Sequence, residues 1–301
     1  MRSKLRRALS LVAMLALVAL ATARAGVTPV HRPNGDGDGR ARSADGIEIA
    51  YTARGTGSVA LVFIHGGLAD RTFWTTQMSG LSDRFRVVAL DLGGHGDSGR
   101  RAAYSIAGWA DDVRAVADAL HLERIVLIGN SLGGPVALEA AHLLPGRVLG
   151  VIGVDTLQDL TQKMDAATAK ARAEAFRTDF AKSCRAMVDA LFHPDKELEL
   201  HGWAEHRMCI PANKELAVSM MESFGGFDVA RAARAAGVPV RAINGDLWPT
   251  NVRVNRTVVK DFDVKVMKGC GHYPMLERPA EFNRLLVETV REFEASPQAK
   301  K

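Results

Sequence analysis

Chemistry can begin at the string Gly129-Asn130-Ser131-Leu132-Gly133-Gly134. It follows an apolar run, Ile125 to Ile128, that reads as a strand, and it precedes a helical pattern from Pro135 to Leu144. A serine held at a sharp strand-to-helix turn needs small residues two before and two after it, because the tight backbone brings neighbouring chains close. Gly129 and Gly133 supply them. Such a serine offers nucleophilic attack on an acyl carbon once a base takes its proton. A phosphate-cradling loop would instead carry a Gly-x-x-x-x-Gly-Lys pattern, and this string has no lysine. The oxyanion formed on attack needs donors. His65-Gly66-Gly67 ends the run Ala60 to Ile64, and a Gly-rich turn there exposes backbone N–H groups; those of Gly67 and Leu132 are the expected oxyanion hole. His65 itself reads as a structural residue of that turn.

Four motifs in order now stand together: His65-Gly66-Gly67, then Asp91-Leu92-Gly93-Gly94-His95-Gly96-Asp97-Ser98, then Gly129 to Gly134, then Gly269-Cys270-Gly271-His272 followed by Glu277-Arg278-Pro279. With them the chain resembles the α/β-hydrolase fold superfamily over nearly its whole length beyond residue 25. Gly93 stands where that family usually has an arginine, which bears on loop packing more than on chemistry. The resemblance implies a Ser-His-acid triad and no cofactor. Its position for the base is His272, in a Gly-rich turn after the last strand run; His95 is the main competitor. For the acid it implies Asp246, within Ile243-Asn244-Gly245-Asp246-Leu247-Trp248-Pro249, although the family more usually places that carboxylate a few residues further on, where this chain has Trp248. Asp155, at the end of the preceding strand run, is the alternative acid.

The expected activity is a serine hydrolase cleaving a carboxylic ester through an acyl-enzyme. Serine at the elbow argues against relatives that place aspartate there, the haloalkane dehalogenases and epoxide hydrolases. The same constellation also serves carbon–carbon bond, amide and lactone hydrolases and haloperoxidase-like enzymes. A non-enzymatic small-ligand binding protein of this fold is the rival from another class.

The elements that must position these residues are legible as alternation. Short apolar runs (Ile47 to Tyr51, Ala60 to Ile64, Val87 to Leu90, Ile125 to Ile128, Val148 to Val154, Val238 to Ile243, Val264 to Met267) are separated by helix-length segments. That pattern predicts an α/β domain, a mostly parallel sheet with helices on both faces, over residues 43–301. Strand signals stop between Asp155 and Ala236, and helical patterns at Ala167 to Phe180, Arg185 to Phe192 and Glu215 to Phe224 predict an inserted helical lid over about 156–236. Phe176, Phe180, Met187, Phe192, Trp203, Met208, Met220, Met221 and Phe224 are its candidates for a pocket wall. Residues 26–42, rich in Gly, Pro and Asp, read as a flexible lead. Asn34, Asp36, Asp38, Gly39 and Asp45 there have calcium-loop spacing, but the first ligand is not Asp, the last is not Glu and no helices flank them. Asp91 and Asp97 lack a companion cluster at ligand spacing, so no metal is expected.

Composition bounds the rest. The chain has 301 residues, 47% apolar, and a formal charge of +5. Arg2, Lys4, Arg6, Arg7 and Arg24 all lie in the first 25 residues, which hold no acid. Taking those five from the 39 basic residues leaves 34, equal to the 34 acidic ones, so nothing in the charge points to nucleic acid. That segment has a basic start, an apolar run from Ala8 to Ala21 and Ala23-Arg24-Ala25 before Gly26, the pattern of a cleaved secretory signal. Its run of about 14 residues is short for roughly 30 Å of hydrocarbon. A secreted or periplasmic mature protein is expected, without a membrane span, acting on a small apolar ester. Cys184, Cys209 and Cys270 allow at most one internal bridge, Cys184 with Cys209, or three buried thiols.

Overall fold

The computed structural model describes residues 36–194, 197–211 and 213–296. The expected signal segment 1–25 and the first part of the lead lie outside the described residues. The chain runs β1 (Gly37–Arg42), β2 (Glu48–Arg54), β3 (Ala60–Ile64), a short 3-10 turn at Arg71–Trp74, α1 (Thr75–Leu81), β4 (Arg86–Leu90), α2 (Ile106–Ala119), β5 (Ile125–Asn130), α3 (Gly133–Leu143) and β6 (Val148–Val154). It continues with α4 (Ala166–Thr178), α5 (Phe180–Asp189), α6 (Leu198–Cys209), α7 (Lys214–Ser223), α8 (Val229–Ala236), β7 (Val240–Asn244), α9 (Val252–Val258), β8 (Phe262–Val266), α10 (Pro274–Glu277) and α11 (Pro279–Ala295).

The eight strands form one sheet in the order β1-β2-β4-β3-β5-β6-β7-β8. Strands β3 to β8 run parallel, while β1–β2 and β2–β4 pair antiparallel. Every residue of β3, β4 and β5 is buried, which is why these strands read as continuous apolar runs: a parallel sheet is covered on both faces. Helix α1 packs with α11, while α2, α3 and α8 pack in a row. Trp74, Trp109, Phe282 and Phe293 are fully buried, each contributing on the order of 1.5–3 kcal/mol by leaving water.

Two expected boundaries move. Gly37–Arg42, assigned to the flexible lead, is strand β1, paired from Gly37↔Ala53 to Arg42↔Glu48. An edge strand with Gly, Asp and Arg facing solvent has no apolar period to reveal it, and its charges are what an exposed edge needs. The lid is shorter than 156–236, because α8 packs on α3 of the body; the lid helices are α4 to α7. Three of them open on a side-chain cap: Asp165 accepts from the Thr168 amide, Asp179 from that of Lys182 and Asn213 from that of Leu216, each worth about 1 kcal/mol. Cys184 on α5 and Cys209 on α6 form a disulfide, with Cα atoms 5.7 Å apart. Cys270 is free and buried, and burial pushes its thiol up to about 11.

Candidate active site

Parallel register brings the C-terminal ends of β3, β5 and β6 level: Ile64 pairs with Gly129, and Asn130 with Val154. The next residues, His65, Ser131 and Asp155, therefore emerge side by side at one edge of the sheet. Ser131 sits at φ +51°, in the left-handed region, at the turn from β5 into α3. Non-glycine backbone there is strained and is held by its surroundings. The surroundings leave no slack: a Cβ on Gly129 would lie 2.0 Å from the Gly133 carbonyl oxygen, and one on Gly133 2.5 Å from that of Ile64. The small residues read from the sequence are thus sites of backbone-to-backbone contact.

His272 is 5% exposed, and its Nδ1 lies 2.6 Å from Oδ2 of Asp155. Asp155, at φ +44° and 1% exposed, also accepts from the Gly245 amide through Oδ1 at 3.0 Å. The carboxylate on His272 is therefore Asp155, and the preference for Asp246 is corrected. Asp246 lies one residue past that amide, and its carboxylate turns outward to His193 Nε2, at 3.0 Å. A backbone hydrogen bond from Gly269 and then the His193 contact hold its pKa below the usual carboxylate value. The strand-end position of Asp155 was visible in the sequence; its left-handed φ, which aims the side chain, was not. With Nδ1–H donating to Asp155, Nε2 of His272 is left as the basic nitrogen.

The His272 loop is held from several sides. Its backbone N donates to Leu191 O at 2.9 Å, and its carbonyl accepts from Asn130 Nδ2 at 3.1 Å. Asn130 Nδ2 also donates to Val154 O, so one buried amide ties the elbow to both other members of the site. In the sequence Asn130 reads only as part of the elbow string; a polar residue closing an otherwise apolar strand is the available signal. His65 plays the structural part expected of it: Nδ1 donates to Gly66 O at 2.7 Å, Nε2 accepts from the Leu92 amide at 3.0 Å, and burial lowers its pKa. His95 is buried and lines a different cavity from that of Ser131, and burial pushes its pKa well below the ordinary histidine value. Asp91 is occupied by Arg71 and by the amides of Arg71 and Asp97.

The family described as alpha/beta hydrolase fold matches residues 59–205, and solved structures of that fold superpose on most of the chain. The chain has the α/β-hydrolase fold. A Thermogutta terrifontis esterase superposes with TM-score 0.73 at 25% identity, over 85% of this chain and 98% of its own. The 2-hydroxymuconate semialdehyde hydrolase of a Pseudomonas species is 28% identical over 86% of this chain and 95% of its own length. An uncharacterised Mycobacterium tuberculosis protein is 39% identical over 105 residues, 35% of this chain, and the match spans 30% of that relative's length.

In this α/β-hydrolase fold the site opens into a cavity of about 300 Å³. Gly66, Gly67, Ser131, Leu132 and His272 form its floor. The lid contributes Met187, Met208, Met220, Met221 and Phe224 from among its expected wall residues. Phe176, Phe180, Phe192 and Trp203 do not line the cavity. They pack elsewhere, Phe73 against Trp203 and Phe192 against Tyr273. Met164, Arg172, Leu191, Trp248 and Tyr273 line it too, and nothing in the sequence marks them as wall residues; periodicity separates the buried face of a helix from the wet one, but not a core-facing position from a pocket-facing one. The Met220 sulfur packs against Gly67, where a Cβ would meet it at 2.1 Å. A second cavity of about 340 Å³, near Gly55, Leu120 and Arg124, lies at the opposite edge of the sheet and shares no residue with the site. Among the described residues no helix is long and apolar enough to cross a membrane.

Proposed function

We propose that this α/β-hydrolase is an exported serine hydrolase that cleaves a carboxylic ester of a small, largely apolar molecule. The observation that carries the reading is the buried Asp155–His272 contact at 2.6 Å, with His272 lining the same cavity as Ser131, a serine in strained backbone. Ser131 Oγ attacks the ester carbonyl while its proton passes to Nε2 of His272. Asp155 fixes the ring orientation and stabilises the imidazolium. The Gly67 and Leu132 amides donate to the developing oxyanion. Collapse of the tetrahedral intermediate expels the alcohol, which takes the proton from His272 and leaves an acyl-Ser131. Water, deprotonated by His272, attacks that ester, and the acid departs with Ser131 restored.

Intact-mass measurement and peptide mapping after exposure to a fluorophosphonate test the nucleophile, with Ser131→Ala as control. A single label on Ser131 and turnover of an ester panel are expected. No label together with a silent ester panel would overturn the reading in favour of ligand capture. Carbon–carbon bond hydrolysis is the second reading, supported by the near full-length likeness to the Pseudomonas hydrolase; turnover of a vinylogous diketone in preference to every ester would establish it.

Export is supported by the signal-like first 25 residues and by the Cys184–Cys209 bridge, since disulfides persist mainly outside the reducing cytosol. N-terminal sequencing of the exported protein is expected to start at Gly26. A start at Met1 would refute cleavage.

A further inference from the structure

Helices α4 to α7 carry four arginines, and their surroundings separate them. Arg177 pairs with Glu174 and Glu222, Arg185 with Glu205, and Arg207 with Asp70. Arg172 has no side-chain hydrogen bond or ion pair among the described residues, and it is the arginine that lines the cavity above Ser131. Among the described residues that wall holds no other arginine and no lysine, aspartate or glutamate. The rest of the wall is dominated by Met164, Met187, Met208, Met220 and Met221, thioethers that adapt to an apolar ligand but offer a charge nothing. A guanidinium presents five donors in a planar fork that fits carboxylate or phosphate oxygens. In the free protein water solvates it, because it is exposed. Ser131 fixes where a scissile carbonyl must sit, and Arg172, on a separate element, fixes where a negative charge gains a partner.

We propose that Arg172 binds an anionic group on the substrate, so that the natural substrate is an ester also carrying a carboxylate or a phosphate, with an apolar segment between the two. This rests on the ester-hydrolase reading for the identity of the reacting group, and not for the binding of the anion. Charge recognition here selects and orients; a neutral ester of the same length fills the methionine wall equally but leaves Arg172 to water.

The test measures binding first. Monomethyl adipate, dimethyl adipate and the methyl ester of the phosphonoalkanoic acid of the same chain length are titrated calorimetrically into Ser131→Ala protein and into the same protein carrying Arg172→Gln or Arg172→Lys. At least one anionic ester is expected to bind about tenfold more tightly than the neutral one, the modest figure reflecting a solvent-exposed partner. Which anion wins distinguishes carboxylate from phosphate. Arg172→Gln is expected to erase the preference, Arg172→Lys to keep part of it, and added salt to weaken it in both charged forms. Equal binding of neutral and anionic esters, a preference that survives Arg172→Gln, or no binding of either anionic ester at millimolar concentration would overturn the proposal. Hydrolysis of the same three compounds by the unmutated enzyme separates the two readings. Anion-selective binding with no turnover defeats the ester hydrolase and leaves Arg172 in place, whereas turnover of all three with equal kcat/KM does the reverse.

Discussion

Two histidine–aspartate pairs lie on neighbouring loops of this molecule, tied by the Gly245 amide on Asp155 and the His272 amide on Leu191 O, and do different things. His272–Asp155 is closed at 2.6 Å with side chains 7% and 0% exposed; His193–Asp246 is closed at 3.0 Å with 23% and 37% exposed. The donor and acceptor types are the same, and so, nearly, is the spacing. What separates them is water. A buried carboxylate with its second oxygen satisfied by the Gly245 amide cannot turn away from its imidazole, so it fixes the tautomer. An exposed pair is screened and flexible, and serves to pin the lid-side loop bearing His193 to the body. Exchanging the roles is the sharpest way to break this contrast. Asp155→Asn is expected to lower kcat by about 10⁴, read on whichever ester the enzyme turns over fastest. Asp246→Asn is expected to leave kcat within about twofold. The opposite pattern would return the acid to Asp246.

The same contrast holds between body and lid. The body's catalytic edge is held by sheet register and close backbone contact, the lid by caps and one covalent tie. Replacing both Cys184 and Cys209 with serine removes a link spanning 25 residues of sequence and is expected to cost about 3 kcal/mol. The thermal transition falls, and KM rises more than kcat falls, because α5 and α6 carry Met187 and Met208 of the cavity wall. An unchanged Tm without reductant would show the tie to be idle. In the body, Asn130→Ala strips the amide that bridges Val154 O and His272 O, leaving buried carbonyls with fewer partners. A loss of roughly 1–3 kcal/mol is expected by denaturant unfolding, with a drop in kcat as the His272 loop loosens and no change in fluorophosphonate selectivity.

Much of this was legible in the sequence for a physical reason. Parallel strands buried on both faces leave uninterrupted apolar runs, and a nucleophile elbow leaves glycines where backbones touch, so the sheet and Ser131 with His272 stood out. Asp155 reads as the alternative acid because its claim depends on one left-handed dihedral at a strand end, which residue type does not encode. Strand β1 was missed because an edge strand gets its stability from a ladder of backbone bonds that any polar sequence can make. Arg172 went unnoticed because one arginine on an amphipathic helix looks like any solvated face until the cavity beneath it is known.

The smallest expected effect probes the outer pair as a structural element. Asp246 has its pKa lowered in the folded protein, first by the Gly269 amide and then by His193. A depressed carboxylate contributes stability that is fully present above its unfolded pKa, about 3.9, and is lost as pH falls through the folded value. The side chain is more than a third exposed, so solvent screening leaves a few tenths of a kcal/mol. Wild type and Asp246→Asn should therefore differ slightly in urea midpoint at pH 6 and converge as the solution is acidified below about pH 3. A wild type that gains stability relative to Asp246→Asn on acidification would mean that the carboxylate destabilises the fold when charged, and that the outer pair does not hold the lid loop to the body.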